Sequence, residues 1–203
     1  MKKIISLILT IILALSLIAC SAGEKKEEAP KATDGAVVVK IDVKDFGTMT
    51  LELYPDVAPI TVENFLSYVD EGFYDGLTFH RIYKGFMIQG GDPAGDGTGD
   101  GGKAPIKGEF SANGVKNDLK HEYGVISMAR TKVMDSATSQ FFICNATNQY
   151  TESLDGQYAA FGKLIDGADV LDAISNVEVT MNSWGEQSQP VNKVVIERIY
   201  RAE

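Results

Sequence analysis

Residues that bind zinc are scarce in this chain, whose 203 residues include two cysteines and two histidines. No Cys/His zinc cluster can be assembled from so few. Basic residues are also in the minority, and the net charge of −9 argues against a nucleic-acid partner, which would need a basic face. The Gly-x-Ser-x-Gly motif is absent, which argues against a hydrolase of that kind.

The N-terminal apolar run is short. Ile4–Leu17 falls below the ~20 residues that a membrane-spanning helix needs. It follows Lys2 and Lys3, as the apolar region of a signal peptide follows a basic start. The run ends in Leu-Ile-Ala-Cys at Leu17–Cys20, which resembles the lipobox of bacterial lipoproteins. The resemblance implies that Cys20 becomes the lipidated N-terminus of the mature protein.

Residues 1–19 are accordingly predicted to be a lipoprotein signal peptide. An ordinary cleaved signal peptide with an incidental cysteine is the alternative. Residues 20–34 are predicted to form a flexible charged tether, because Ser21–Asp34 has no aliphatic residue larger than alanine and cannot offset its ordering entropy by burial. We expect a bacterial, extracytoplasmic protein that a lipid on Cys20 anchors to the cell membrane.

Residues 35–203 are predicted to form one domain of mainly β structure. Alternation of apolar and polar residues predicts strands, and apolar residues at i, i+3, i+4 and i+7 predict helices. Pro59 and Glu63 favour the start of the first helix. The predicted helices are Ile60–Asp70 and Ala168–Ser175, and the predicted strands are Val37–Val43, Thr48–Tyr54, Leu77–Ile82, Phe86–Gln89 and Lys193–Tyr200.

The segment Phe79–Gly91 places one arginine, Arg81, and one glutamine, Gln89, among aromatic and aliphatic residues. Taken alone, it predicts a β-hairpin with a half-buried arginine. Three more segments follow it in order: Gly124–Arg130, Ser139–Cys144 and Leu154–Gly162. Together the four segments resemble the cyclophilin family of peptidyl-prolyl cis/trans isomerases.

The resemblance runs from about Ala36 to the C-terminus and implies a closed eight-stranded antiparallel β-barrel capped by two α-helices. It implies isomerase activity on proline-containing polypeptides without a cofactor or metal, and we expect a monomer. The catalytic residues that it implies are Arg81, Phe86, Gln89 and Phe142. The substrate-binding residues that it implies are Met87, Ala129, Arg130, Gln140, Leu154 and Tyr158.

Arginine suits this reaction for a physical reason. The barrier to amide rotation, ~18–20 kcal/mol, arises from resonance that is lost when the bond is twisted. The proline nitrogen then regains a lone pair, so a donor aimed at it stabilises the twisted state more than either planar state. The guanidinium of Arg81 offers a permanent charge and a planar set of donors.

Two positions depart from the family pattern. Ser153 stands where many members have a tryptophan before Leu-Asp-Gly, and the preceding loop, Asn145–Glu152, is longer. Tyr158 stands where the cytosolic prototype has a histidine. We therefore expect cyclosporin, the peptide inhibitor of the family, to bind weakly, unless Tyr150 fills the vacant space.

Other functions remain open from the sequence. The groove could dock proline segments or hold unfolded chains without catalysis, although docking would not need Arg81. Residues 90–102 contain a dinucleotide-like glycine pattern, but no helix follows it. A weak calcium site is a further alternative for this loop, and it would require Asp92, Asp96 and Asp100 to converge.

Four residues receive structural rather than catalytic predictions. His80 is expected to be a hydrogen-bonded core residue and His121 to be solvated in a polar loop. Cys144 is predicted to be a buried free thiol on a strand. Trp184, the single tryptophan, could be a lid over the end of the barrel or a surface anchor.

Overall fold

The computed structural model describes residues 34–202, so the predicted signal peptide, Cys20 and nearly all of the tether lie outside the described residues. The helices are α1 (Pro59–Asp70), a 3-10 turn (Ser111–Asn113), α2 (Gln149–Glu152) and α3 (Ala168–Ser175). The strands are β1 (Val37–Val43), β2 (Gly47–Leu53), β3 (Arg81–Tyr83), β4 (Met87–Gly90), β5 (Val125–Met128), β6 (Phe141–Cys144), β7 (Ala160–Asp166), β8 (Val179–Met181), β9 (Gln187–Pro190) and β10 (Ile196–Arg201).

Eight strands form one antiparallel sheet in the order β10-β1-β2-β7-β5-β6-β4-β3. The sheet is curled but open, so the predicted closed barrel is wrong, while the eight antiparallel strands are confirmed. Closure fails because β3 is only three residues long and begins at Arg81. Within the described residues, the chain beside the two sheet edges is joined by one isolated bridge, between Thr78 and Val195, and by three backbone hydrogen bonds around it, instead of a ladder of two named strands. The strands β8 and β9 pair separately as a hairpin.

Both predicted helices are present, and their apolar faces are buried as the spacing predicts. In α1 the residues Val62, Phe65, Leu66 and Val69 are buried. The structure adds α2, a single turn whose N-terminus is capped by the side chain of Asn148. Four residues are too few for helical periodicity to be visible in the sequence.

Two neighbouring rows of residues cross the sheet and face opposite sides of it. The isoleucine row faces the core and consists of Ile82, Ile88, Ile143 and Ile126, which are paired in register across β3, β4, β6 and β5 and are at most 1% exposed. The next position on each strand faces outward. This second row, the site row, consists of Arg81, Gln89, Phe142 and Ser127.

A carboxylate distant in the sequence caps the first helix. Glu109, which is 2% exposed, accepts hydrogen bonds from the backbone N–H of Ile60 (3.2 Å) and of Thr61 (2.7 Å), and from the Thr61 hydroxyl (2.7 Å). These N–H groups have no partner within the helix, and a negative charge is favoured at this end. The exposed Glu63, which the sequence pattern credits with this effect, makes none of these contacts.

Replacing Glu109 should therefore lower the stability of the fold more than replacing Glu63. We expect Glu109→Ala to lower the free energy of unfolding by about 2–3 kcal/mol, because hydrogen bonds to a charged group are lost and buried donors are left unpaired. The matched control Glu63→Ala should change it by less than about 0.5 kcal/mol. Urea unfolding followed by circular dichroism measures both, and equal effects would contradict the assignment.

Candidate active site

The hairpin of β3 and β4 positions the arginine. Its register pairs Arg81 with Gln89, so the two side chains emerge side by side on the outer face of the sheet. The Nη1 group of Arg81 donates to Oε1 of Gln89 at 3.1 Å and lies 3.7 Å from the sulfur of Met87. The turn between the strands contains Gly85 at φ +80°, a conformation that favours glycine.

Strand β6 supplies the apolar wall beside this pair. Phe142 lies opposite Gln89 in the sheet and is 5% exposed. Its ring meets the ring of Tyr158 edge to face, with 5.8 Å between centroids. Together with Met87, Cys144 and Leu154, Phe142 forms a small apolar cluster on the outer face, separate from the main core.

These residues surround a cavity of about 220 Å³. Nine of the ten residues that the sequence predicted for the catalytic and binding site line it: Arg81, Phe86, Met87, Gln89, Ala129, Arg130, Phe142, Leu154 and Tyr158. The tenth, Gln140, lines a neighbouring groove of about 180 Å³. Gln89 lines both spaces, and its Nε2 donates a hydrogen bond to Oε1 of Gln140 at 2.9 Å.

Arg130 lies at the rim of the cavity. The guanidinium of Arg130 lies over the ring of Tyr158, 4.5 Å from its centroid, and donates to the carbonyl of Gln157 at 2.8 Å. The N–H of Ala129 is bonded to the carbonyl of Gln140 at 2.9 Å. The side chain of Arg130 thus contributes to the rim through its contact with an aromatic ring.

The glycine-rich loop takes its shape from one carboxylate. Asp92, 1% exposed, accepts the N–H groups of Ala94, Asp96, Gly97 and Gly99 at 2.5–2.9 Å. Asp100 accepts the N–H of Gly102 at 3.0 Å. Residues 34–202 contain no group of three acidic, histidine or cysteine side chains that could hold a metal ion, so the calcium alternative lacks a ligand set there.

A buried hydrogen-bonded chain supports Phe142 from behind. His121 is 1% exposed, so the prediction that it is solvated is wrong. Its Nδ1 lies 3.1 Å from Asp155 and its Nε2 3.0 Å from the hydroxyl of Ser127, and its ring stacks on Phe142 with 6.0 Å between centroids. The polar residues before His121 concealed its burial. Ser127, His121 and Asp155 are arranged in space like the catalytic triad of a hydrolase. However, Ser127 is 0% exposed and cannot reach a substrate.

The remaining structural predictions have mixed outcomes. His80 is half-buried, and within the described residues the backbone of Thr78 is the hydrogen-bonding group near its ring, too poorly aligned to count as a regular hydrogen bond. Cys144 is a buried free thiol on β6, as predicted, and burial raises its pKa to about 12. Ser153 is exposed and its hydroxyl donates to the carbonyl of Tyr150, whose ring is 61% exposed and is not part of the cavity wall.

The sequence pattern missed one contact of the arginine. Nε and Nη2 of Arg81 contact the two carboxylate oxygens of Glu186 at 2.5 and 2.7 Å. Glu186 lies between β8 and β9, 105 residues further along the chain, and no local pattern connects it to Arg81. The hydrogen bonds from Arg81 hold the pKa of Glu186 below its ordinary value, so this carboxylate is ionised at neutral pH.

Comparison with known proteins identifies this geometry. The family model described as cyclophilin type peptidyl-prolyl cis-trans isomerase/CLD matches residues 38–201. The chain belongs to the cyclophilin-type peptidyl-prolyl cis-trans isomerases. It is therefore an enzyme, and the predicted family is confirmed.

Bacterial relatives and solved structures agree with this assignment. The chain is 42% identical over 153 residues to peptidyl-prolyl cis-trans isomerase A of Dickeya dadantii, covering 74% of this chain and 77% of the relative. It is 41% identical over 158 residues to peptidyl-prolyl cis-trans isomerase B of Escherichia coli, covering 75% and 93%. A cyclophilin-type isomerase of Cryptosporidium parvum, solved in the presence of the dipeptide Ala-Pro, superposes with a TM-score of 0.71 at 31% identity, over 82% of this chain and 99% of that one.

The burial of His121 and the partial burial of His80 make the stability of this cyclophilin depend on pH. Burial lowers the pKa of His121 and of His80 from the ordinary value of 6.5. As the pH falls through that value, the unfolded chain binds protons that the folded chain does not. We expect the free energy of unfolding to fall by about 1–2 kcal/mol between pH 7.5 and 5.5.

The measurement is urea unfolding across this pH range for the wild type and for His121→Gln. The variant should show a shallower pH dependence, whatever its stability at pH 7.5, because one of the two groups no longer titrates. An identical slope in both proteins would exclude His121 as a source of the effect.

Proposed function

We propose that Arg81 stabilises the twisted prolyl bond in this isomerase while the apolar cavity holds the proline ring. The observation that carries the proposal is the position of the Arg81 guanidinium, which lines the same cavity as Phe86, Met87 and Phe142. Its Nη1 group is held by Gln89 in that wall. The proline ring of a substrate in this cavity would therefore lie beside the charged guanidinium of Arg81.

The residues divide the work between anchoring and charge stabilisation. Phe142 and Leu154 offer buried apolar surface to the ring of the substrate proline, which keeps one side of the bond fixed. Rotation on the acyl side then localises the lone pair on the imide nitrogen, toward which Arg81 donates. Gln89 orients Arg81 and would also form a hydrogen bond with the substrate carbonyl. No proton is transferred and no covalent bond forms in this scheme.

Removal of the guanidinium tests the role of Arg81. We expect Arg81→Ala to lower kcat/KM at least ~10-fold, since a hydrogen bond to a charged group contributes about 1.5–3 kcal/mol. A protease-coupled assay on a short Xaa-Pro peptide measures it. The matched control is Lys84→Ala, which removes the same charge from the exposed turn of the same hairpin.

Full activity in a folded Arg81→Ala protein would remove this mechanism. It would favour a groove that binds proline segments and that catalyses through another group. Unchanged circular dichroism is required before either outcome is read, because Arg81→Ala also leaves the Glu186 carboxylate without this partner.

We also propose that the enzyme acts at a membrane surface, on exported polypeptides. The proposal rests on the lipobox-like Leu17–Cys20 and on the charged segment between it and the domain. A lipid on Cys20 would supply the attachment. In residues 34–202, no helix is long and apolar enough to cross a bilayer. Exported chains emerge unfolded, with their prolyl bonds still equilibrating over tens of seconds or longer.

Substitution of the modified cysteine tests the membrane attachment. We expect Cys20→Ser to move the protein from the membrane fraction to the soluble fraction, or to leave an unprocessed precursor, because serine offers no thiol to acylate. Fractionation with immunoblotting gives the distribution, and Cys144→Ser serves as the control that removes the other thiol. A free, unmodified Cys20 in the mature wild-type protein, found by mass spectrometry, would overturn the proposal.

The weak cyclosporin binding predicted from Ser153 stays a prediction. The structure supplies no aromatic replacement at that position, because the ring of Tyr150 is exposed and Ser153 belongs to the end of α2. The expectation of a monomer is likewise a proposal.

A further inference from the structure

The ion pair between Arg81 and Glu186 has the geometry of two matched forks. Nε of Arg81 contacts Oε2 at 2.5 Å and Nη2 contacts Oε1 at 2.7 Å, so one edge of the guanidinium is fully occupied. The remaining nitrogen, Nη1, is the one held by Gln89. Two parallel contacts fix the plane of the guanidinium as well as its position, which a single contact cannot do. Both side chains are about one-quarter exposed (23% and 29%) and are thus partly withdrawn from water.

The turn between β8 and β9 fixes the backbone that carries the Glu186 carboxylate. The Oδ1 atom of Asn182 accepts the N–H groups of Trp184 at 3.0 Å and of Glu186 at 2.9 Å, and the N–H of Asn182 donates to the carbonyl of Glu186 at 2.8 Å. Nδ2 of the same asparagine donates to the buried hydroxyl of Ser188 at 3.1 Å. The backbone of Glu186 is therefore fixed from both sides of the turn.

The tip of the same hairpin rests on the glycine-rich loop. The indole of Trp184 lies so close to Gly97 that a β-carbon at this position would overlap the ring. Trp184 is 61% exposed, so it remains largely on the surface although its ring contacts this loop. The contact joins the turn that carries Glu186 to the loop beside the cavity.

We propose that Glu186 is a positioning residue for the isomerase reaction, which fixes the guanidinium of Arg81 so that its Nη1 edge stays directed at the cavity. The inference rests on the proposed function of Arg81. An arginine side chain has four rotatable bonds, and Gln89 alone restrains one of its three nitrogens. With Glu186 present, the donor is oriented before the substrate binds, and the orientation costs nothing in the transition state.

A purely structural role is the competing explanation. In that case the ion pair fastens the hairpin to β3, and its loss loosens the fold without a specific effect on turnover. The two explanations differ in kinetics, because a loss of orientation at Arg81 acts on kcat and leaves the apolar anchor, and hence KM, nearly unchanged. Both explanations make the effect of Glu186 depend on Arg81, because either side chain is needed for the ion pair, so the division of the effect between kcat and KM is what separates them.

The experiment is a double-mutant cycle in the full-length chain. Glu186→Gln keeps the size of the side chain and one acceptor oxygen, and we expect it to lower kcat about 3–5-fold with KM within about 2-fold. In the Arg81→Ala background the same change should cause no further loss, because the group that it positions is gone. The control Glu178→Gln removes an equal charge from an exposed position just before β8 and should leave kcat unchanged.

A spectroscopic readout reports the orientation directly. The Nε–H proton of Arg81, assigned by its disappearance in Arg81→Ala, should give a resolved signal shifted downfield by the carboxylate. In Glu186→Gln that signal should move upfield and exchange faster with water, while the backbone amide of Ile82 stays in place. Movement of the amide by a comparable amount would indicate a general change in β3 and favour the structural explanation.

The outcomes separate the inference from the proposed function. An unchanged or higher kcat in Glu186→Gln, or an equal loss with and without Arg81, would overturn the positioning role. Full activity of Arg81→Ala would instead overturn the function of Arg81 itself. A loss that appears only when Arg81 is present, with KM unchanged, supports both.

Discussion

Antiparallel pairing of β3, β4, β6 and β5 is the constraint on which both the core and the cavity depend. The isoleucine row packs into the core. Because side chains alternate along a strand, the site row must lie on the outer face. A slip of one residue between these strands would exchange the two rows, burying a guanidinium and exposing isoleucines. The energy that holds the reacting groups in place is therefore supplied by hydrophobic burial on the other side of the sheet.

Features set by short-range patterns could be predicted from the sequence. The strand β1 and the helix α3 have the predicted bounds, because their apolar spacing directly determines which face is buried. The cavity residues were found for a different reason. They lie in segments that resemble a known family, and their meeting in space was inferred from that resemblance. The spacing of residues along the chain could not have predicted that Arg81 and Leu154 line the same cavity.

Features set by pairs of distant side chains could not be predicted. Glu109 caps a helix from 48 residues away, and Glu186 holds Arg81 across 105 residues. Both are single acidic residues in polar surroundings, which is the usual composition of solvated loops. His121 is buried because Phe142 and Asp155 close over it, and the polar residues preceding it give no sign of that. The open edge of the sheet follows from the shortness of β3. The alternation of apolar and polar residues does not show at which residue the hydrogen bonding of a strand begins.

The pairing of the first strand with the last has a consequence for how the chain becomes native. Val39 lies opposite Arg201, so the strand that is made earliest completes its hydrogen bonding only with the strand made latest. Until then β1 has an unpaired edge rich in valine, which is a template for aggregation. Contacts of such long sequence separation also make folding slow. A nascent isomerase of this topology thus carries an unpaired strand edge until its last strand has been made.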